Sequence, residues 1–110
     1  MGVKLTGVKE LQGKLKKNAT LDDVKRIVKY NGAQLQTNAQ RKAPVDTGNL
    51  KRSIGISMKD KGMTAEVEPT AEYAPYVEYG TRFMNAQSFV GPAFYDQEEK
   101  FKKDLKRLME

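Results

Sequence analysis

Apolar side chains recur along this chain with two different periods. Val8, Leu11 and Leu15 stand at helical spacing and predict a short N-terminal helix, weakly specified before the polar stretch "KKNAT". From Thr20 the pattern strengthens. Thr20 is a good N-cap residue type, and Asp22 and Asp23 follow in the first turn, where carboxylates meet the positive end of the helix dipole. Leu21, Val24, Ile27, Val28, Leu35 and Ala39 then share one face. Pro44 ends the run, because the residue before a proline avoids helical dihedral angles. The prediction is a main helix over 21–42, roughly 33 Å long at 1.5 Å per residue. Gly32 inside it costs about 1 kcal/mol relative to alanine and marks either a close contact or a bend.

Beyond Ser53 the period becomes two. Ile54, Ile56 and Met58 alternate with Ser53, Gly55 and Ser57, "KDKG" makes a turn, and Met63, Ala65 and Val67 alternate with Thr64, Glu66 and Glu68. This predicts a β-hairpin with one buried face, closed by Pro69, which cannot donate to a ladder. Tyr73, Tyr76 and Tyr79 recur every three residues before Gly80, a pattern that fits either a single helical turn or a third strand. Residues 82–89 read as an extended loop. Gly91 and Pro92 open a C-terminal helix with Phe94, Phe101, Leu105 and Leu108 on one face, acids early and bases late. The predicted fold class is α+β: a long helix, an antiparallel hairpin within a small sheet, and a C-terminal helix packed on the sheet. Residues 1–110 form a single domain.

Composition narrows the chemistry. The chain has no cysteine and no histidine, which removes disulfides, thiol nucleophiles, Cys/His metal sites and histidine acid–base work. No cofactor, metal or catalytic residue is assigned, and no enzymatic activity is expected. No apolar run approaches the ~20 residues that cross a bilayer, and the N-terminus lacks a signal-peptide core, so synthesis in a cytoplasm and no membrane partner are expected. The net charge is +6, with +5 in residues 1–30, +3 in 31–60 and −2 in 61–90. A basic N-terminal half suits contact with something acidic, DNA included, or simply a solvated lysine-rich face.

One triplet suggests an enzyme. Asp46-Thr47-Gly48 is the triplet that carries the catalytic carboxylate of aspartic proteases. Its context here is wrong: a long polar helix and Pro44 precede it, Lys51 and Arg52 follow, and these cations would hold two paired carboxylates ionised rather than sharing a proton. Asp46 instead suits a turn or a short helical piece before the strand, accepting from backbone N–H groups just ahead of it, with Gly48 supplying any positive φ.

Three segments, "APVDTGNLKRSI", "YAPYVEYGT" and "AQSFVGPAF", together resemble a bacteriophage and prophage family: the minor tail components of long-tailed, lambdoid-type phages that act in head–tail joining or tail completion. Ala43, Pro44, Asp46, Thr47, Gly48, Leu50, Ser53 and Ile54 match the first signature. Tyr73, Ala74, Val77, Glu78, Tyr79, Gly80 and Thr81 match the second, and Phe89, Pro92 and Ala93 the third. Ser88 stands where a proline is usual, and Gly91 where an arginine is common.

The resemblance implies a non-enzymatic subunit in the virion, at the head–tail junction or neck, forming a homo-oligomeric ring around the DNA channel. Its implied partners are copies of itself, neighbouring neck, connector or tail-tube proteins, and DNA contacted without sequence preference. Tyr73, Tyr76, Tyr79, Phe83, Met84 and Phe89 are the candidate subunit contacts, with core packing as the alternative. Asp46, Thr47, Gly48, Glu78, Gly80 and Thr81 are candidate turn-forming residues; Glu78 either caps locally or pairs between subunits. Lys25, Lys29, Arg41 and Lys42 are candidates to face DNA phosphates. A nucleic-acid-binding accessory protein is the alternative function.

Overall fold

A computed structural model describes residues 2–8, 20–44 and 48–109. Seven elements follow one another: β1 (Val3–Thr6), α1 (Leu21–Lys42), α2 (Asn49–Ser53), β2 (Ile54–Lys59), β3 (Thr64–Pro69), α3 (Ala74–Tyr79) and α4 (Val90–Lys106). The architecture is α+β: a three-stranded antiparallel sheet in the order β1-β3-β2, with the long helix and the C-terminal helix beside it.

The long helix starts where its capping chemistry dictates. Thr20 Oγ1 accepts from Asp23 N at 3.2 Å, and Thr20 N donates to Asp23 Oδ2 at 2.8 Å, a reciprocal capping box that satisfies two backbone or side-chain demands at once. Its buried face carries Val24, Val28, Leu35 and Ala39, all 1 % exposed or less. Gly32 sits where this face crosses the sheet. A Cβ there would come within 2.6 Å of Ala65 Cβ and 3.1 Å of Ile56 Cδ1. Of the two readings of Gly32, the close contact is the one the structure adopts.

The hairpin pairs Ile54 with Pro69 through to Lys59 with Thr64. Its turn runs through three successive positive φ values, Asp60, Lys61 and Gly62, at 54°, 56° and 92°. β3 lies in the centre of the sheet, so Ala65 and Val67 are fully buried. The buried face of β2 fades along the strand: Ile54 is buried, Ile56 half-buried, and Met58 is 40 % exposed because it lies beyond the apolar cover. On the opposite side Glu66 sits between Lys4 (3.8 Å) and Lys59 (2.5 Å). The hydrogen bond from Lys59 holds the Glu66 carboxyl below its ordinary range and lifts the Lys59 ammonium above its own.

The sequence pattern leaves β1 unread and residues 73–79 open between a helical turn and a strand. The chain opens with β1, paired Val3 to Val67 and Thr6 to Thr64; Val8 follows it as an exposed residue, and Leu11 and Leu15 of the predicted first helix lie outside the described residues. Residues 74–79 are helical, not a strand. The short piece α2 follows Gly48, whose φ is 73°; Asp46 and Thr47 lie outside the described residues.

α4 packs antiparallel along α1 and also touches β1. Phe101 and Leu105 are buried, with Phe94 and Leu108 partly so, which is the face read from the sequence. Between the two helices runs a seam that is polar. Asn31 and Gln97 are fully buried, yet the seam is closed by hydrogen bonds. Gln97 Nε2 donates to Asn31 Oδ1 (2.6 Å) and Gln34 Oε1 (3.0 Å), and Asn31 Nδ2 donates to Ile27 O (2.9 Å) and Asp104 Oδ2 (3.0 Å). Buried amides with their donors used in this way avoid the 1–3 kcal/mol or so that each orphaned group would cost.

Candidate interaction surface

The segment joining α3 to α4 is built around one buried carboxylate. Glu78, on the last turn of α3, is 5 % exposed. Its Oε1 accepts from the backbone N–H groups of Phe89 (3.0 Å) and Val90 (2.9 Å), and its Oε2 accepts from Gly91 N (3.1 Å). These are the free donors at the start of α4, where the helix dipole also favours negative charge. Glu78 thus caps α4 across a gap of eleven to thirteen residues, and its carboxylate is committed inside the subunit. Gly91 belongs to the same device: a Cβ there would lie 3.1 Å from Glu78 Oε2.

The residues between these two helices form an arm. Gly80 ends α3 at φ 76° and ψ 176°, a conformation suited to glycine, and a Cβ on it would meet Ala86 N at 2.7 Å. Thr81 and Met84 then pair through two backbone hydrogen bonds of 2.8 and 3.2 Å, and Thr81 Oγ1 accepts from Phe83 N at 3.1 Å. The return is tied twice to α3, by Gln87 N to Val77 O (2.8 Å) and by Ser88 Oγ to Glu78 O (2.8 Å). Ser88, where a proline is usual, therefore contributes a hydrogen bond that proline could not make.

Residues 81–88 are all exposed, and the arm carries apolar groups outward. Phe83 is 85 % exposed, its ring 4.8 Å from the Arg82 guanidinium, and Met84 is 39 % exposed. On α3, Tyr73, Tyr76 and Tyr79 are 42, 59 and 72 % exposed. The three tyrosines and the two arm residues are thus surface groups. Phe89 is not among them: it is fully buried. Its N–H donates to Glu78, which draws the backbone inward and sends the ring into the core.

The cations predicted to face DNA do not converge. At 100° per residue Lys25 and Lys29 lie on one flank of α1, whereas Arg41 and Lys42 stand near its other end, about 18 Å or more away along the axis. Lys42 Nζ lies 3.5 Å from Asp96, and Arg41 donates to Asn38 Oδ1. Among the described residues no group of three or more acidic, histidine or cysteine side chains could hold a metal ion, and no helix is long and apolar enough to cross a membrane.

The residues that sequence reasoning passed over are Asn31 and Gln97, which look like solvent-facing amides. Their only signal is position: Asn31 falls on the apolar side of α1, between Val28 and Leu35, and Gln97 likewise on α4, between Ala93 and Phe101.

This geometry defines a small α+β protein that presents an anchored arm with an apolar tip. Residues 7–80 match the family described as "Bacteriophage HK97-gp10, putative tail-component", and the chain belongs to that family. It is a structural protein of a bacteriophage tail. The matched span contains the first signature segment and the second up to Gly80, the glycine that opens the arm, and leaves α4 outside. No curated protein and no solved structure matches the chain.

Proposed function

We propose that this subunit works at the head–tail interface, in head–tail joining or tail completion, as a non-enzymatic ring of identical copies around the DNA channel. The observation that carries the reading is the arm: eight exposed residues, bearing Phe83 and Met84, held at both ends by the Glu78 cap and the contacts to α3. A closed ring needs two different lateral surfaces that meet head to tail. A preorganised arm supplies one of them with little ordering cost on association, and Tyr73, Tyr76 and Tyr79 add the amphipathic side chains favoured at contacts. The neighbours in this reading are further copies, the neck or connector proteins on the head side and the tube proteins on the tail side, with the subunit located at the junction in the virion.

Deleting the gene in the phage or prophage and viewing the induced lysate by electron microscopy tests this. Filled heads lying apart from tails, or tails with unfinished ends or abnormal length, are expected. Normal infectious particles would overturn the reading.

A further inference from the structure

We propose that the groove between α1 and α4 binds the sugar–phosphate backbone of double-stranded DNA. Two rows of side chains flank it. On α1, Tyr30, Gln34, Thr37 and Arg41 recur at intervals of four, three and four, which places them on one face; on α4, Lys100, Lys103 and Arg107 recur at three and four. The helices run antiparallel, as the pairs Asn31–Asp104, Asn38–Gln97 and Lys42–Asp96 fix. The two rows therefore border a continuous depression. Its first part, about 380 Å³, is bordered by Tyr30, Gln34, Arg41 and Lys100; a second hollow shares Tyr30, Gln34 and Lys100 and extends to Lys103 and Arg107.

The lining holds four cations, Arg41, Lys100, Lys103 and Arg107, against one carboxylate. That carboxylate, Asp104, accepts from the buried Asn31 and lies 3.9 Å from Arg107. Among the described residues Lys100 and Lys103 have no ion-pair partner. The rest of the lining is Ala33, amides, a hydroxyl and one tyrosine: Tyr30 Oη accepts from Gln34 Nε2 at 2.9 Å, which leaves its own proton to donate. Such a wall offers much positive charge for a hydrated polyanion.

Spacing selects duplex phosphates. Lys100 to Arg107 spans about 10 Å of helix. One DNA strand presents a phosphate about every 3.4 Å of duplex axis while winding around it, so three long, flexible cations spread over this length reach up to three phosphates. Contacts of this kind carry no sequence information. The flank with Lys25 and Lys29 is the poorer candidate, since the Lys25 stem lies at the hairpin turn, within 3.5 to 3.9 Å of where a Gly62 Cβ would stand. That the groove meets DNA within a virion rests on the ring reading above; its affinity does not.

The test is fluorescence polarisation of the purified protein with a short labelled duplex of arbitrary sequence, across a salt series. The wild type is expected to bind with a steep negative slope of log affinity on log salt. The triple variant K100Q/K103Q/R107Q should flatten that slope by about 2.7, the contribution of three phosphate contacts, equivalent to about 40-fold in affinity over a fourfold salt range. K25Q/K29Q/K51Q removes the same charge elsewhere and should keep most of the slope. No wild-type binding at low salt, equal losses in both triples, or displacement of the duplex by polyglutamate at matched charge would each overturn the proposal. All the altered side chains except the half-buried Lys25 are exposed, and matched thermal melts confirm folding. Because the readout is on free protein, its failure and that of the gene-deletion experiment are separable.

Discussion

Glu78→Ala is the most informative single change in this protein. It removes the acceptor of three backbone donors, of which Phe89 N and Val90 N are buried and Gly91 N is partly so. Hydrogen bonds to a charged acceptor contribute about 1.5–3 kcal/mol each, and a buried donor left unpaired costs about 1–3 kcal/mol. The three are not additive, since one carboxylate serves them all and the Gly91 amide can recover water. A net loss of about 3 kcal/mol follows, which for a chain of this size lowers the melting temperature by about 12 °C. Glu78→Gln keeps one oxygen for Phe89 and Val90 but turns an amide donor toward Gly91, so about half that loss is expected. Thermal melts measure the sum, and hydrogen exchange at Phe89, Val90 and Gly91 localises it, with faster exchange expected there than in β3. A Glu78→Ala melt within about 3 °C of wild type, with those three amides still protected, would refute the capping argument.

Three further outcomes follow from particular contacts. Gly32→Ala should destabilise by about 1–3 kcal/mol in urea unfolding despite alanine's better helix propensity, because the new methyl would meet Ala65 at 2.6 Å; a gain in stability would mean that α1 is free to lift off the sheet. Phe83→Ser should leave the melting temperature within about 1 °C, as expected for a side chain 85 % exposed, yet fail to restore particles when supplied to the deletion phage; full complementation would remove the arm from assembly. The Glu66 carboxyl is lowered in the folded state by its hydrogen bond from Lys59, so its contribution is present above the unfolded glutamate pKa of about 4.3 and is lost as pH falls through the lower folded value. Glu66→Gln should therefore lower stability near neutrality, with the difference from wild type shrinking as pH falls below the unfolded glutamate value, and an unchanged difference on acidification would count against the pairing.

The long helix was legible in the sequence because its signals are local. Thr20 and Asp23 sit three residues apart, the apolar face repeats within each turn, and Pro44 closes the run, so no distant partner is needed to read them. The β2–β3 hairpin was legible for the same reason. β1 was not, because "VKLT" offers only two apolar positions and becomes a strand by pairing with β3 some sixty residues away. Glu78 was recognisable as a member of a motif but its role was not, since the donors it caps lie eleven to thirteen residues downstream across a loop. Phe89 shows the reverse difficulty. In sequence it belongs with the aromatic residues of the arm, and only the inward pull of the cap separates it from Phe83. Asn31 and Gln97 were invisible because an amide on an apolar face reads as an interruption until its complement on the other helix is known.

The amide seam between α1 and α4 has a mechanical meaning. Neither Asn31 nor Gln97 titrates, so the amide-to-amide part of the joint carries no pH dependence of its own. Sliding α4 by one turn, about 5.4 Å, would break the hydrogen bonds between the helices together and strand buried amides, while slippage of two purely apolar faces would meet only a shallow barrier. The seam therefore acts as a detent that locks the helix pair in register under shear. A subunit loaded along these helices transmits force as one rigid piece.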